Sequence, residues 1–307
     1  PLSRSQRVFA AQTVGGAGAL RIGAELLSKF VAKSVFISNP SWLNHKQIFE
    51  EAHFFLADYP YFDFERQQLD FHGMCGAIQS MPPRSVVLLH GCCHNPTGVD
   101  PSFEQWKELS CLVKKQRLIP FFDIAYQGFG NGVDADAKAI RYFAEEGHEM
   151  LVAYSYSKNF GLYGERVGFL TVISSDEKNI PNIASQVKRL IRANYSNPPL
   201  HGERIVSAVL GSEVLKEEWM GELSLMRERV EAMRSALFAA LRSANNKFFE
   251  SIELQKGLFS YLGLSVDQVE RLRKEKAIYM PSSGRINIAG LNEHNLSYVA
   301  ESLLQEW

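Results

Sequence analysis

The feature that most constrains this chain is a series of short apolar runs that stop at polar or glycine-rich turns: Val35 to Ser38, Val86 to Leu89, Leu118 to Phe122, Leu151 to Tyr154 and Phe169 to Ile173. Runs so short and so uniformly apolar suit buried strands, and the amphipathic stretches between several of them suit helices crossing back over a sheet. One such stretch follows Asp100-Pro101, read as N-cap and first helical residue, and sets Phe103, Trp106, Leu109 and Val113 on one side. The pattern predicts an α/β fold.

From Glu213 the texture changes. Trp219, Leu223, Met226, Val230, Met233 and Leu237 recur at alternating steps of four and three residues, which predicts one long helix with an apolar seam. Two strand-like segments follow, Gly257 to Leu264 and Arg285 to Leu291, then a helix on which Leu296, Val299, Ala300, Leu303 and Leu304 share a face. A chain of 307 residues exceeds what one compact core usually takes, so the expected organisation is a large lobe over 1–225 and a smaller α+β lobe over 226–307, joined by the long helix.

Charge excludes some partners. The net charge is −1 with acidic and basic side chains interspersed, which offers no footprint for nucleic acid or an anionic membrane. No apolar run approaches the ~20 residues that span a bilayer, and the first thirty residues are interrupted by charges such as Arg7, Arg21 and Glu25. Cys75, Cys92, Cys93 and Cys111 form no disulfide framework and read as structural thiols of a reducing compartment, the cytoplasm. Small-molecule partners remain.

Polar turns follow three of the apolar runs: His90-Gly-Cys-Cys-His-Asn95-Pro-Thr-Gly98, Asp123-Ile-Ala-Tyr126 and Ser155-Tyr-Ser157-Lys158-Asn159. Ligands of open α/β sheets sit beyond the carboxyl ends of the strands, so the groups in these turns can converge. Taken singly, the lysine reads as exposed, the tyrosine as core, and Asn-Pro as a turn former.

The run Ser155-Tyr-Ser-Lys158-Asn-Phe-Gly-Leu-Tyr-Gly-Glu-Arg166-Val-Gly resembles the cofactor-lysine motif of class I aminotransferases, the aspartate aminotransferase subgroup in particular. The resemblance continues, in order, through Asn39-Pro-Ser-Trp42-Leu-Asn-His45, His94-Asn95-Pro-Thr-Gly98, Phe122-Asp123-Ile-Ala-Tyr126-Gln-Gly-Phe129, Ile191-Arg192-Ala-Asn-Tyr-Ser-Asn-Pro-Pro199 and Ser283-Gly-Arg285-Ile-Asn287. Motifs in the right order across nearly the whole chain are far more specific than any one of them.

The resemblance implies the fold of pyridoxal-phosphate-dependent transferases, with a mostly parallel sheet of the seven-stranded type, and transamination between L-aspartate or L-glutamate and the 2-oxo acids 2-oxoglutarate and oxaloacetate. By its implication Lys158 carries pyridoxal 5′-phosphate as a Schiff base and serves as acid and base. Asp123 keeps the cofactor's ring nitrogen protonated, with His45 behind it. Tyr126 and Asn95 donate to its phenolic oxygen, and Trp42 stacks on its ring. Its phosphate meets the turn Gly15-Gly16-Ala17-Gly18 ahead of an expected helix from Ala19 to Phe30, together with Ser155 and Arg166. A dinucleotide reading of that turn fails, because Arg21 stands where the third glycine belongs. The family usually has threonine where this chain has Ala17, so one hydroxyl contact is missing.

Two arginines carry the implied substrate choice. Arg285 resembles the residue that clamps the substrate α-carboxylate, where a guanidinium fork fits a planar anion. Arg192 resembles the residue that reaches from a partner subunit to the distal carboxylate, which implies a homodimer with shared sites; Trp42 and Asn95 complete the implied substrate pocket. The matching region begins just before the glycine-rich turn, so the family's N-terminal segment, with a tyrosine for the neighbour's cofactor phosphate, has no counterpart here. Rival readings are an aromatic-amino-acid aminotransferase, a decarboxylating or eliminating relative, a non-catalytic cofactor-binding fragment, and a metal protein using His90, Cys92, Cys93 and His94, whose adjacent cysteines do not match usual zinc spacings.

Overall fold

The computed structural model describes residues 6–242 and 247–306. Its centre is a seven-stranded sheet. The strands are β1 (Val8–Val14), β2 (Ser34–Asn39), β3 (Phe55–Pro60), β4 (Val86–His90), β5 (Ile119–Ile124), β6 (Met150–Ser155) and β7 (Val167–Ile173). They lie in the order β1-β7-β6-β5-β4-β2-β3. The block from β6 to β3 is parallel, whereas β7 runs antiparallel to both β6 and β1. All the apolar runs singled out from the sequence are strands, and the sheet is mostly parallel as expected. The edge strands β1 and β3 are additions to that reading.

Side chains alternate across the central strands and fill two cores. Val86, Leu88, Phe121, Leu151 and Ala153 face one side, where helix α1 (Gly15–Phe30) contributes Leu20, Ile22 and Leu26. Val87, Leu89, Phe122 and Val152 face the other, where Trp106, Leu109 and Val113 arrive from helix α3 (Phe103–Lys115). Full burial of each large apolar side chain contributes roughly 1.5–3 kcal/mol relative to exposure, so continuous apolar runs are what a sheet covered on both faces selects. Between α1 and α3 in the chain lies the short helix α2 (Leu43–Glu51), which presents His45 inward.

Two helix starts differ from expectation. The α3 helix begins after Ser102, not at Asp100-Pro101, because Ser102 Oγ accepts the Gln105 N–H at 3.2 Å while the Gln105 amide oxygen accepts the Ser102 N–H at 2.8 Å. This reciprocal box satisfies two orphan donors and releases Asp100 for another contact. The α1 helix begins at Gly15, so the glycine turn is its first turn and not a loop ahead of it.

After α4 (Ile180–Asn194) the expected long helix is α5, Glu213–Leu241. Leu223, Val230 and Leu237 are buried along its seam, whereas Met226 is exposed. Near its start, Trp219 donates its indole N–H to the Asn159 carbonyl at 2.7 Å and stacks on Phe160. Further along, Arg229 donates to the Leu291 carbonyl at 2.8 Å, and buried Arg234 donates to the Gly257 carbonyl and to Ser260. One helix therefore contacts both the sheet's loops and the C-terminal segment. There β8 (Phe259–Tyr261) pairs antiparallel with β9 (Arg285–Asn287), both shorter than the sequence suggests, and α6 (Leu296–Leu304) closes the chain. Among the described residues, no helix is long and apolar enough to cross a membrane.

Candidate active site

The carboxyl ends of β4, β5 and β6 open on a cavity of about 290 Å³, close to the lower bound of small-molecule sites at roughly 300 Å³. Of the residues singled out from sequence, Gly16, Ala17, Trp42, Asn95, Asp123, Tyr126, Ser155, Lys158 and Arg166 line it. Polar turns at 90–98, 123–126 and 155–159 thus meet at one place because their strands are neighbours.

Asp123 is the penultimate residue of β5, with its side chain only 11% exposed. Burial by itself would raise its pKa, but the hydrogen bond from His45 and the nearby His45, His90 and Lys158 outweigh that and bring it below the ordinary carboxylate value. Lys158 shifts the opposite way from an ordinary lysine: burial lowers its pKa, and Arg166 adds to this while Asp123 opposes it. Its ammonium nitrogen lies 4.9 Å from the centre of the Tyr126 ring. A partly buried amine of depressed pKa can exchange a proton with a bound molecule more readily than a surface lysine.

Behind Asp123 runs a hydrogen-bonded chain whose direction is fixed at its two ends. The Asn95 backbone N–H can only donate, so His90 Nδ1 accepts it, at 3.3 Å. His90 then carries its proton on Nε2 and donates to Ser41 Oγ at 3.0 Å. Ser41 Oγ shares a hydrogen bond of 2.9 Å with His45 Nδ1, and His45 Nε2–H donates to the Asp123 carboxylate at 2.8 Å. Every link agrees with a neutral His90 and an ionised Asp123. For His90 this matches a pKa pushed down to about 3, chiefly by burial and then by His45. The sequence reading anticipates His45 here, but it treats His90 only as a metal ligand and gives Ser41 no part. Both lie within or beside the recognised motifs, but the partners they take depend on turns distant in the chain lying side by side.

The glycine turn is held against β6 and β7. The Gly15 N–H donates to the Arg166 carbonyl at 2.9 Å, and Arg166 has φ +54 in the left-handed region. A Cβ at Gly15 would lie 2.5 Å from an Arg166 guanidinium nitrogen, and one at Gly16 would lie 2.9 Å from Ser155 Cβ. Only glycine lets the start of α1 approach these side chains. Free N–H groups of a helix N-terminus, the Ser155 hydroxyl and the Arg166 guanidinium therefore sit together, as an anion cradle requires.

Gly15, Arg285 and Arg192 do not line the cavity. Arg285 nevertheless joins the group through Asn95, whose side-chain oxygen accepts from it at 2.8 Å, while the Asn95 amide donates to Tyr126 Oη at 3.4 Å. The Arg285 guanidinium stacks 4.1 Å above the Phe259 ring. Arg192 stands apart, exposed in the last turn of α4. As for the metal reading, the described residues bring Cys92, Cys93 and Asp136 within 4.8 Å of one another. The Asp136 oxygens already accept N–H groups of Gly128, Gly130 and Asn131, and His90 and His94 are engaged by Ser41 and Ser38.

Fold and cavity together define an α/β protein with a lysine, a buried carboxylate and an anion cradle at the strand ends. The family model for aminotransferases of class I and II matches residues 2–303, and the chain belongs to that family. It is 44% identical over 305 residues to an aspartate aminotransferase of Escherichia coli, covering 99% of this chain and 77% of the relative. The solved aromatic-amino-acid aminotransferase of Burkholderia pseudomallei, covalently bound to pyridoxal phosphate, is 48% identical with a TM-score of 0.96, covering 100% of this chain and 77% of that one. An aromatic amino acid aminotransferase of Psychrobacter sp. B6, cocrystallised with aspartic acid, is 40% identical with a TM-score of 0.96 over the same shares, 100% and 77%.

Proposed function

We propose that this protein is a pyridoxal-phosphate-dependent aminotransferase of the aspartate type, exchanging an amino group between L-aspartate or L-glutamate and 2-oxoglutarate or oxaloacetate. The observation that carries the reading is that Lys158, Asp123 and Arg166 line one cavity while Asn95 ties Arg285 to its wall.

The residues present fit the cofactor. A cradle that a Cβ at Gly15 or Gly16 would fill suits its phosphate, alongside Ser155 and Arg166; an ionised Asp123 suits a protonated ring nitrogen, and Tyr126 and Asn95 suit a phenolate. Ala17 supplies a backbone N–H without a hydroxyl. When bound, the cofactor supplies an electron-poor ring into which negative charge at the substrate Cα spreads.

Lys158 would be the covalent tether, and its amine, once the substrate amino group has taken its place on the cofactor, would accept the proton that leaves the substrate Cα. Asp123 stays charged throughout because His45 donates to it and cannot leave, being fixed by Ser41. Trp42 supplies a stacking face and excludes water. Arg285 holds the α-carboxylate as a fork, and Arg192, exposed on α4, holds the distal carboxylate in the site of a second copy, so the protein works as a homodimer. The division into lobes over 1–225 and 226–307, with α5 as connector, and a cytoplasmic location consistent with its free cysteines belong to the same reading.

An aromatic-amino-acid aminotransferase is the second reading, favoured by the solved aromatic relatives and by the Phe259 ring beneath Arg285. Steady-state rates of the purified protein decide. The aspartate reading expects kcat/KM for L-aspartate with 2-oxoglutarate to exceed that for L-phenylalanine by at least about tenfold, a difference of ~1.4 kcal/mol; the reverse order would support the aromatic one.

A further inference from the structure

One charged group beside the site has no task in the mechanism above. The carboxylate of half-buried Asp100, just past the Asn-Pro-Thr-Gly turn, reaches back across that turn. Its Oδ2 accepts the Cys93 N–H at 2.7 Å and its Oδ1 accepts the His94 N–H at 2.9 Å. Cys93 has φ +50, in the left-handed region, so two consecutive N–H groups converge on one anion.

The next residue is Asn95. Its backbone N–H starts the chain to His90, and its side chain spans from Arg285 to Tyr126. The far end of the turn is fastened separately. Gly98 donates to the His94 carbonyl at 2.7 Å and accepts from the Lys256 N–H at 2.6 Å. With φ +69, Gly98 is close enough that a Cβ there would lie 2.9 Å from the Phe259 carbonyl oxygen. Phe259 is the ring on which Arg285 rests. Asn95 is thus held between an end anchored by Asp100 and an end anchored to the segment that supports Arg285.

Without the Asp100 carboxylate, the N–H groups of buried Cys93 and His94 lose their acceptors. Unpaired buried donors are costly, so the turn would shift to find others, and Asn95 would shift with it. Resting on the reading of Arg285 as the α-carboxylate site, we infer that Asp100 is a positioning residue: it holds Asn95 where Asn95 aims the Arg285 fork, and so sets affinity for the substrate carboxylate rather than the rate of proton transfer.

The test is steady-state kinetics of the holoenzyme with L-aspartate and 2-oxoglutarate. Asp100→Asn accepts one N–H where the carboxylate accepts both, and it is expected to raise KM for L-aspartate about tenfold, the worth of one such hydrogen bond, with kcat within about twofold. Asp100→Ser, which keeps one acceptor without an amide donor, is expected to do the same and serves if the amide variant does not fold. In an Asn95→Ala background either substitution is expected to raise KM by less than about twofold, because the residue it positions is gone. A purely structural Asp100 would lower kcat and thermal stability while leaving KM unchanged, or would raise KM by the same factor in both backgrounds; either result overturns the inference. Arg285→Gln separates the premise from the conclusion. If it leaves KM unchanged, the carboxylate reading of Arg285 falls; if it raises KM and the Asp100 variants do not, only the role of Asp100 falls.

Discussion

The two ends of the sheet each carry a hollow, and the larger one is not the site. At the carboxyl ends of the parallel strands the cavity of about 290 Å³ is lined by an amine, a carboxylate, a phenol, an amide and a guanidinium. At the opposite end a groove of about 360 Å³ between α1 and α4 is lined by Leu26, Leu27, Ile119, Leu151 and Val172. Strands β5 and β6 supply both. What differs is where the chain leaves the strand: β4, β5 and β6 end in turns whose polar side chains hydrogen-bond one another, while their starts are packed apolar residues. Chemistry follows the turns and not the volume.

The sharpest way to break this contrast is at Asp123. Asp123→Ala should lower kcat on the order of 10³-fold, as loss of a preorganised charge does, while the affinity for pyridoxal phosphate, followed by fluorescence titration, falls much less. A comparable loss of both would make Asp123 a binding residue only. Next in size is Arg192, which does not line the cavity of its own chain. Arg192→Ala should lower kcat/KM for L-aspartate on the order of 10²-fold and leave that for L-phenylalanine within about twofold. Equal effects on both substrates would remove its assignment to the distal carboxylate.

At the apolar end the expected response is of another kind. Leu27→Ala, a buried residue lining the groove, should cost about 2–5 kcal/mol of stability in urea unfolding and leave kcat/KM of the folded enzyme unchanged. A loss of activity in proportion would show that the two ends are coupled.

The smallest effect concerns pH. His148 is buried, shares a hydrogen bond of 2.8 Å with Ser110, and has its pKa brought down to about 4, mainly by burial and then by Lys114. A folded-state pKa below the unfolded value means that the unfolded chain binds the proton first. Stability from this group is therefore present above the ordinary histidine value and declines as pH falls from about 6.5 towards about 4. His148→Gln should flatten the slope of stability against pH in that window by at most ~1.4 kcal/mol per unit, with activity at neutral pH unaltered. An unchanged slope would mean that His148 titrates normally.

Much of this was legible in the sequence, for reasons that differ by element. The central strands showed as continuous apolar runs because both their faces are covered. The edge strands did not, since Val8–Val14 is interrupted by Gln12 and Thr13, and Phe55–Pro60 carries Asp58 and a terminal proline. The start of α3 was misread because Asp100-Pro101 has cap chemistry, yet the Asp100 carboxylate is spent on Cys93 and His94 while Ser102 and Gln105 do the capping. Within the site, Lys158, Asp123 and Arg166 were readable because their motifs are local. Ser41 and His90 were not, since their parts exist only once the turns after β2 and β4 lie side by side. Arg192 is a third kind: the task proposed for it, on a second copy, would leave only its exposure in the geometry of one chain.

The central claim is that the amine of Lys158 holds the cofactor over an ionised Asp123. It is tested most directly by reducing the holoenzyme with borohydride and mapping the peptides by mass spectrometry. The account predicts a pyridoxyl mass on the peptide containing Lys158 and on no other, and none in Lys158→Ala. A label on a different lysine, or an undiminished label in that variant, would contradict it.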